Sequence, residues 1–192
     1  MQTLTKKGTF DAAHRIMFEK VKCNNLHGHT YHYELTFSFC IVQDLGYAID
    51  FKEIKRVYDG FIDKYFDHAT ILNPKDTDVL QCVKTIGSKY WVMALNGDSF
   101  CNPSAENMSK ELYLAMQGII NSYKAQGIHI LYNLENIRLY ETENSFVDCT
   151  SLCISERDEY NFNHKYYDLI YNYTQQCSTF EYDSRLTDKE NK

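Results

Sequence analysis

The chain has 192 residues, enough for one domain with a sizeable core, or one domain plus an extension. With 44% hydrophobic and 24% charged residues it reads as globular, and a net charge of −6 argues against a nucleic-acid-binding surface. No apolar run approaches the ~18–20 residues of a membrane span, and the opening Met-Gln-Thr-Leu-Thr-Lys-Lys lacks a signal peptide's apolar stretch, so a cytoplasmic protein is expected.

Residues 3–14 alternate, with Phe10, Ala12 and His14 on one face, so a first strand delivers His14 at its end. A polar break leads into Lys22-Cys23-Asn24-Asn25-Leu26-His27-Gly28-His29. The cleanest strand pattern follows, from Thr30 to Val42. Tyr31, Tyr33, Leu35, Phe37, Phe39 and Ile41 face one way, and His32, Glu34, Thr36, Ser38 and Cys40 the other. If that strand extends backward, His27 and His29 share the apolar parity; His32 does not and is assigned a structural role.

Asp50 with Glu53 reads as a capping box opening a helix to about Phe66, with Phe51, Ile54, Val57, Tyr58, Phe61, Ile62 and Tyr65 at helical spacing. Asp67-His68 lies on its exit. A second helix runs from Ser104, after Pro103, along Met108, Leu112, Ala115, Met116, Ile119, Ile120 and Tyr123, and closes at Gly127. Strands are expected over 133–142, where Ile137, Leu139 and Glu141 share a face, and over 145–154. The fold class is therefore α+β, an antiparallel four-stranded sheet with two helices on one face in ββααββ order.

Two stretches stand outside that plan. In 74–102, Val79, Val83, Ile86 and Tyr90 suggest a helix, while Tyr90 to Leu95 followed by Asn96-Gly97 could equally be strand and turn. Residues 156–192 are tyrosine-rich, then charged; a helix can form around 164–176, with the last ten residues frayed. The expected organisation is a domain over 1–155 with an insertion at 74–102, and a C-terminal extension over 156–192.

The seven cysteines (23, 40, 82, 101, 149, 153 and 177) match neither a disulfide framework nor a Cys-x-x-Cys zinc module, so free thiols are expected. His14, His27 and His29, three imidazoles brought together by adjacent strands, suit zinc with a fourth position open for a reacting group. There the ion acts as a Lewis acid on a substrate oxygen. Cys23 is either a fourth ligand that closes the site or a base whose pKa a nearby cation lowers. Asp67-His68 is either a charged helix end or a carboxylate–imidazole pair that moves protons. Glu141 either forms a buried ion pair with Arg138 or Arg15, or accepts two parallel hydrogen bonds from the amidine-like edge of a heterocycle. Glu106 suits a helix N-terminus on charge alone.

The blocks Phe10-Asp-Ala-Ala-His14-Arg15, Lys22-Cys23 to His29, Gly46-Tyr-Ala-Ile-Asp50-Phe51, Phe66-Asp67-His68 with Leu72-Asn73, Pro103-Ser-Ala-Glu106-Asn107 and Tyr140-Glu141-Thr142 occur in an order that resembles the 6-pyruvoyl-tetrahydropterin synthase / 6-carboxytetrahydropterin synthase family. The resemblance covers roughly residues 5–150. It implies a tunnelling fold (T-fold), whose subunits join their sheets into a barrel, commonly as a homohexamer of two trimers. It implies zinc on His14, His27 and His29, a proton-shuttling Cys23, and Asp67 and His68 supplied by a neighbouring subunit. It further implies that Glu141 anchors the pterin ring, that Glu106 helps line the pocket, and that the substrate is 7,8-dihydroneopterin triphosphate. The Cys-x-x-x-His-Gly-His interval resembles the carboxy-forming branch, which releases acetaldehyde and triphosphate on the way to 7-deazaguanines such as queuosine. The pyruvoyl-forming branch is the alternative, and a zinc- or pterin-binding protein without catalysis is a third reading. Ala105, where Ser or Thr is usual, the long insertion and the long tail depart from the family pattern.

Overall fold

The computed structural model describes residues 1–40 and 46–177. The expected end of the second strand at 41–42 and the frayed last residues lie outside these. Two long strands, β1 (Gln2–His14) and β2 (His27–Phe39), pair antiparallel over their full length, in a register that sets Gln2 opposite Phe39 and His14 opposite His27. β2 therefore begins at His27 rather than Thr30. Tyr31, Tyr33, Leu35 and Phe37 are buried, as their shared parity requires.

A helical segment, α1, follows in three continuous pieces: α-helix Phe51–Ile54, π-helix Lys55–Asp59 and α-helix Gly60–Tyr65. Asp50 caps it by accepting from the Lys52 N–H, but Glu53 turns to Arg56 instead of back to the cap, so only half of the expected box forms. Tyr173 from the C-terminal helix donates its hydroxyl to the Val57 carbonyl of the π turn at 2.6 Å.

Two short strands then enlarge the expected sheet. β3 (Ala69–Leu72) and β4 (Tyr90–Val92), separated by α2 (Thr77–Thr85), add in parallel beside the end of β1. The remaining elements are α3 (Ala105–Ala125), β5 (Tyr132–Thr142), β6 (Ser145–Cys149) and α4 (Glu156–Cys177). The sheet thus has six strands, in the order β4-β3-β1-β2-β5-β6, rather than four. The four long-range antiparallel strands stand as expected; the extra pair comes from fully buried Ala-Thr-Ile-Leu and from the partly buried Tyr-Trp-Val, short runs whose periodicity is ambiguous. The insertion contains both a helix and a strand followed by a turn. β6 stops at Cys149, and a 3-10 turn at Ser151–Cys153 takes over.

α1 and α3 bury Val57, Tyr58, Phe61, Met108, Leu112, Met116 and Ile119 against Phe10, Tyr33, Leu35, Phe37, Ile137 and Leu139. α4 starts at Glu156, well before 164, because Ser155 and Asp158 cap it reciprocally: the Asp158 N–H donates to Ser155 Oγ at 3.1 Å and the Ser155 N–H to Asp158 Oδ2 at 3.2 Å. It clamps the insertion. Tyr166 stacks on Trp91 with ring centroids 4.0 Å apart and donates to the Val92 carbonyl, while Asn161 donates to the Leu95 carbonyl.

Beneath that clamp lies Glu111 of α3, fully buried, which accepts from Trp91 Nε1, the Leu95 N–H and the Ala94 N–H. Burial raises its pKa to about 7 against the pull of those three donors. Because the folded value lies above the unfolded one, the folded state binds more protons between pH ~4.5 and ~7 and loses stability as pH rises through that window. Two to three units at about 1.4 kcal/mol each put this loss on the order of 3 kcal/mol. We expect the urea midpoint of the native chain to fall between pH 5 and 8 and that of Glu111→Gln to fall much less; equal falls would remove Glu111 as the source.

Candidate metal centre and proton-transfer pair

The end of the β1–β2 ladder builds the site. His14 and His27 are cross-strand partners and His29 lies diagonally across from His14, facing Ala12, so the pleat turns all three imidazoles to one face. Their ring centroids lie 4.6, 5.3 and 4.9 Å apart, and one nitrogen of each falls within 4.8 Å of the others.

The tautomers follow from the hydrogen bonds. His14 Nδ1 lies 2.7 Å from the Pro103 carbonyl and His27 Nδ1 lies 2.7 Å from the Asn25 carbonyl. A carbonyl only accepts, so both Nδ1 atoms carry the proton and both Nε2 lone pairs are free. His14 Nε2 is buried without a hydrogen-bond partner, in a residue only 1% exposed. An orphaned buried acceptor beside two other imidazoles, with the His14 and His27 rings oriented from behind, is a donor set that could hold a metal ion. Desolvation lowers the His14 pKa, despite the Pro103 hydrogen bond, which keeps the ring neutral as a ligand must be.

Glu141 joins this cluster rather than an arginine. Its Oε1 lies 3.5 Å from His14 Nε2 and 3.8 Å from His29 Nε2. Arg15 is held bidentately by Asp76, and Arg138 by Asp148, so neither expected ion-pair partner is used. The β5–β6 register shifts between Tyr140 and Thr142, leaving Glu141 as the extra residue of a bulge, a device that re-aims a side chain. Cys23 sits exposed in a 3-10 turn, Lys22–Asn24, its carbonyl accepting from the Ile16 N–H at 2.7 Å. Its sulfur falls outside the histidine group. Glu106 is exposed in the first turn of α3, next to the Pro103–Ser104 cap.

Asp67 and His68 form a second, separate group with Asp11. Asp67 Oδ1 accepts from the Asp11 N–H at 2.8 Å, and Asp67 Oδ2 lies 2.7 Å from His68 Nδ1. Burial works to raise the Asp67 pKa, but the Asp11 N–H, His68 and Lys89 outweigh it, so the carboxyl is held below its usual value and stays charged beside the imidazole. His68 is held at φ +57°, a left-handed conformation in which a non-glycine residue stores strain, and its side chain is 74% exposed. The Asp11 side chain points to the sheet face opposite Ala12 and His14. A cavity of about 540 Å³ beside this pair is lined by Asp11, Asp59, Asp63 and Lys55, and not by the three histidines. A single chain therefore does not bring His68 to the histidine cluster.

Sequence reading missed the supports. Asn102 accepts from the Met17 N–H, donates to the Met17 carbonyl and accepts from Asn73, whose buried carbonyl oxygen takes the Lys75 and Cys101 N–H groups. These amides lock the segments that carry His14 and Pro103. The available signal was the pair of loop asparagines bracketing the insertion, one of which already stood in a quoted block. Among the described residues, no helix is long and apolar enough to cross a membrane.

Residues 3–151 match the family model described as 6-pyruvoyl tetrahydropterin synthase. A curated relative from Rickettsia bellii, named 6-carboxy-5,6,7,8-tetrahydropterin synthase, is 34% identical over 145 residues, 75% of this chain and 96% of its own. In structure, the chain resembles an uncharacterised protein from Wolinella succinogenes (TM-score 0.55, 14% identity, 78% of this chain and 98% of that one). It also resembles the 6-pyruvoyl tetrahydropterin synthase of Plasmodium falciparum (TM-score 0.51, 17% identity, 77% and 96%). At those identities the structural likeness concerns the fold, which is the T-fold subunit.

If the free Nε2 atoms define the metal centre, excess zinc should raise the melting temperature of the protein, since a ligand bound only by the folded state stabilises it. His14→Ala should erase that shift and Cys23→Ser should keep it. A full zinc shift in His14→Ala would dissolve the centre.

Proposed function

The chain belongs to the 6-pyruvoyl tetrahydropterin synthase family, and on that premise we propose that it is a zinc-dependent 6-carboxytetrahydropterin synthase. It would convert 7,8-dihydroneopterin triphosphate to 6-carboxy-5,6,7,8-tetrahydropterin with release of acetaldehyde and triphosphate, in the cytoplasm, as a step toward 7-deazaguanines such as queuosine. The observation that carries the reading is the histidine trio with its oriented tautomers and orphaned His14 Nε2. The relatives named for the carboxy product, matched over nearly their whole length, favour that branch, as does the Cys23-to-His27 interval.

Zinc on His14, His27 and His29 supplies, when bound, a Lewis acid that polarises the hydroxyls of the substrate side chain. Cys23, an exposed thiol four residues before His27 and outside the histidine group, serves as the base that takes a proton from the side-chain carbon. Glu141 accepts the amidine-like N–H edge of the pterin, and Glu106 lines the pocket. His68, oriented by the Asp67 carboxylate, moves the second proton. Its distance from the histidine cluster within one chain fits a site completed by a neighbouring subunit. The outer side of β1 at residues 2–11 has no strand neighbour among the described residues, and β4 and β6 end the sheet. Joined edge to edge these would continue the sheet into a barrel, consistent with a homohexamer of two trimers.

Three outcomes test the reading. Purified, zinc-loaded protein given 7,8-dihydroneopterin triphosphate should yield acetaldehyde and the 6-carboxy product by mass spectrometry; a pyruvoyl product without acetaldehyde would move it to the other branch. Cys23→Ala should lose turnover by a factor of 10² or more while retaining zinc, the scale of a lost general base. Cys23→Ala and His68→Ala subunits, each inactive alone, should recover activity when dissociated and reassembled together. No recovery in verified mixed oligomers would place both groups in one subunit.

A further inference from the structure

The family match ends at residue 151, where the chain carries a thiol pair that the proposed reaction does not use. Cys149 is the last residue of edge strand β6 and is buried; Cys153 closes the 3-10 turn Ser151–Cys153 and is exposed. The turn folds the two sulfurs around Thr150. Cys149 Sγ donates to the Thr150 carbonyl at 3.8 Å, Cys153 Sγ lies 3.9 Å from Thr150 Oγ1, and the Cys153 N–H donates to the Thr150 carbonyl at 3.0 Å. Both sulfurs thus lie against one residue, Thr150, within a single tight turn, the placement from which a local adjustment can bring them to the roughly 2 Å of a disulfide bond.

We infer that Cys149 and Cys153 form a peroxide-sensitive redox pair, with exposed Cys153 as the reacting thiol and buried Cys149 as the resolving one. The division of labour follows from their surroundings. Burial, with Cys153 alongside, raises the Cys149 thiol to about 12, which keeps it protonated and unreactive toward solvent oxidants. The Thr150 backbone, its hydroxyl, the Cys149 thiol and the charge of Lys110 together lower the Cys153 thiol despite some desolvation. Low-pKa, accessible sulfur beside a second thiol is the arrangement of a reversible sensor.

The chemistry balances with hydrogen peroxide as oxidant. The Cys153 thiolate attacks one peroxide oxygen, the O–O bond breaks, and the departing hydroxide takes up a proton as water, leaving a sulfenic acid. Cys149 sulfur then attacks Cys153 sulfur; the S–S bond forms, the S–O bond breaks, and hydroxide leaves with the Cys149 proton as a second water. A dithiol reductant reverses the change by exchange. The bridge ties the end of β6 to the turn that launches α4, so it acts on the joint between the family domain and the extension.

Both cysteines fall in one tryptic peptide, between Arg138 and Arg157, which makes the test independent of enzyme activity. After limited peroxide treatment of the full chain, that peptide should have lost two hydrogens and refuse alkylation, and dithiothreitol should restore both thiols. The change should be several-fold faster than oxidation of Cys82, an exposed thiol on α2. In Cys153→Ser, a surface change that spares the core, Cys149 should remain alkylatable after denaturation. In Cys149→Ser, Cys153 should be trapped as a sulfenic acid by dimedone. Over-oxidation of Cys153 with Cys149 still free, or oxidation of the pair no faster than Cys82, would overturn the inference.

Discussion

The antiparallel register of β1 on β2 is the constraint on which the site depends. Setting His14 opposite His27 and Ala12 opposite His29 puts the three imidazoles on the face that buries Phe10, Tyr31 and Tyr33 a few residues away. Because side chains alternate, a slip of one residue would bury the polar set His32, Glu34 and Thr36 and scatter the histidines. The aromatic core thus fixes the geometry of the cluster: Phe10 stacked on Tyr31 and Tyr58 against Phe37 are the contacts that a slipped register would lose. Stability and site geometry are consequences of one pairing.

Residues 74–102 and helix α4 pack directly against one another. Trp91 of β4 is held from above by Tyr166 of α4 and from below by Glu111 of α3, and β4 in turn pairs with β3, the strand that leaves His68. Lys89, one residue before β4, donates to the carbonyls of Asp63 and Asp67. The additions therefore reach the segment that holds the strained His68 backbone. The three N–H donors only partly offset the cost of burying the Glu111 carboxylate, whose raised pKa shows that burial outweighs them.

The long periodic elements were legible in the sequence because the period-2 run from Tyr31 and the helical stripes of α1 and α3 each repeat enough times to exclude alternatives. The histidine cluster was legible for the same reason, since parity alone decides which residues share a strand face. What stayed hidden depends on tertiary context. Three- and four-residue strands such as Tyr90–Val92 carry too few periods to be told from helix, and their pairing in parallel with a distant segment leaves no local signature. The Ser155–Asp158 cap was present as a local signal and was overlooked beneath the tyrosine-rich composition. The orientation of Glu141 could be read as an anomaly on an apolar face, but its re-aiming by a bulge could not, because a bulge is a relation between two strands.

The separation of the two chemical groups is the last consequence of the sheet. Asp11 and His14 stand three residues apart on one strand, so their side chains project to opposite faces, and Asp67 and His68 are bonded to Asp11 through backbone as well as side chain. No rotamer change in His68 carries it through the sheet to His14. Under the proposed mechanism, with Cys23 as base and His68 as proton carrier, the two groups would come from different copies of the chain. In that proposal the oligomer is not an addition to a finished site: the same fully paired β1–β2 ladder that gathers three histidines leaves His68 with Asp11 and Asp67, apart from them.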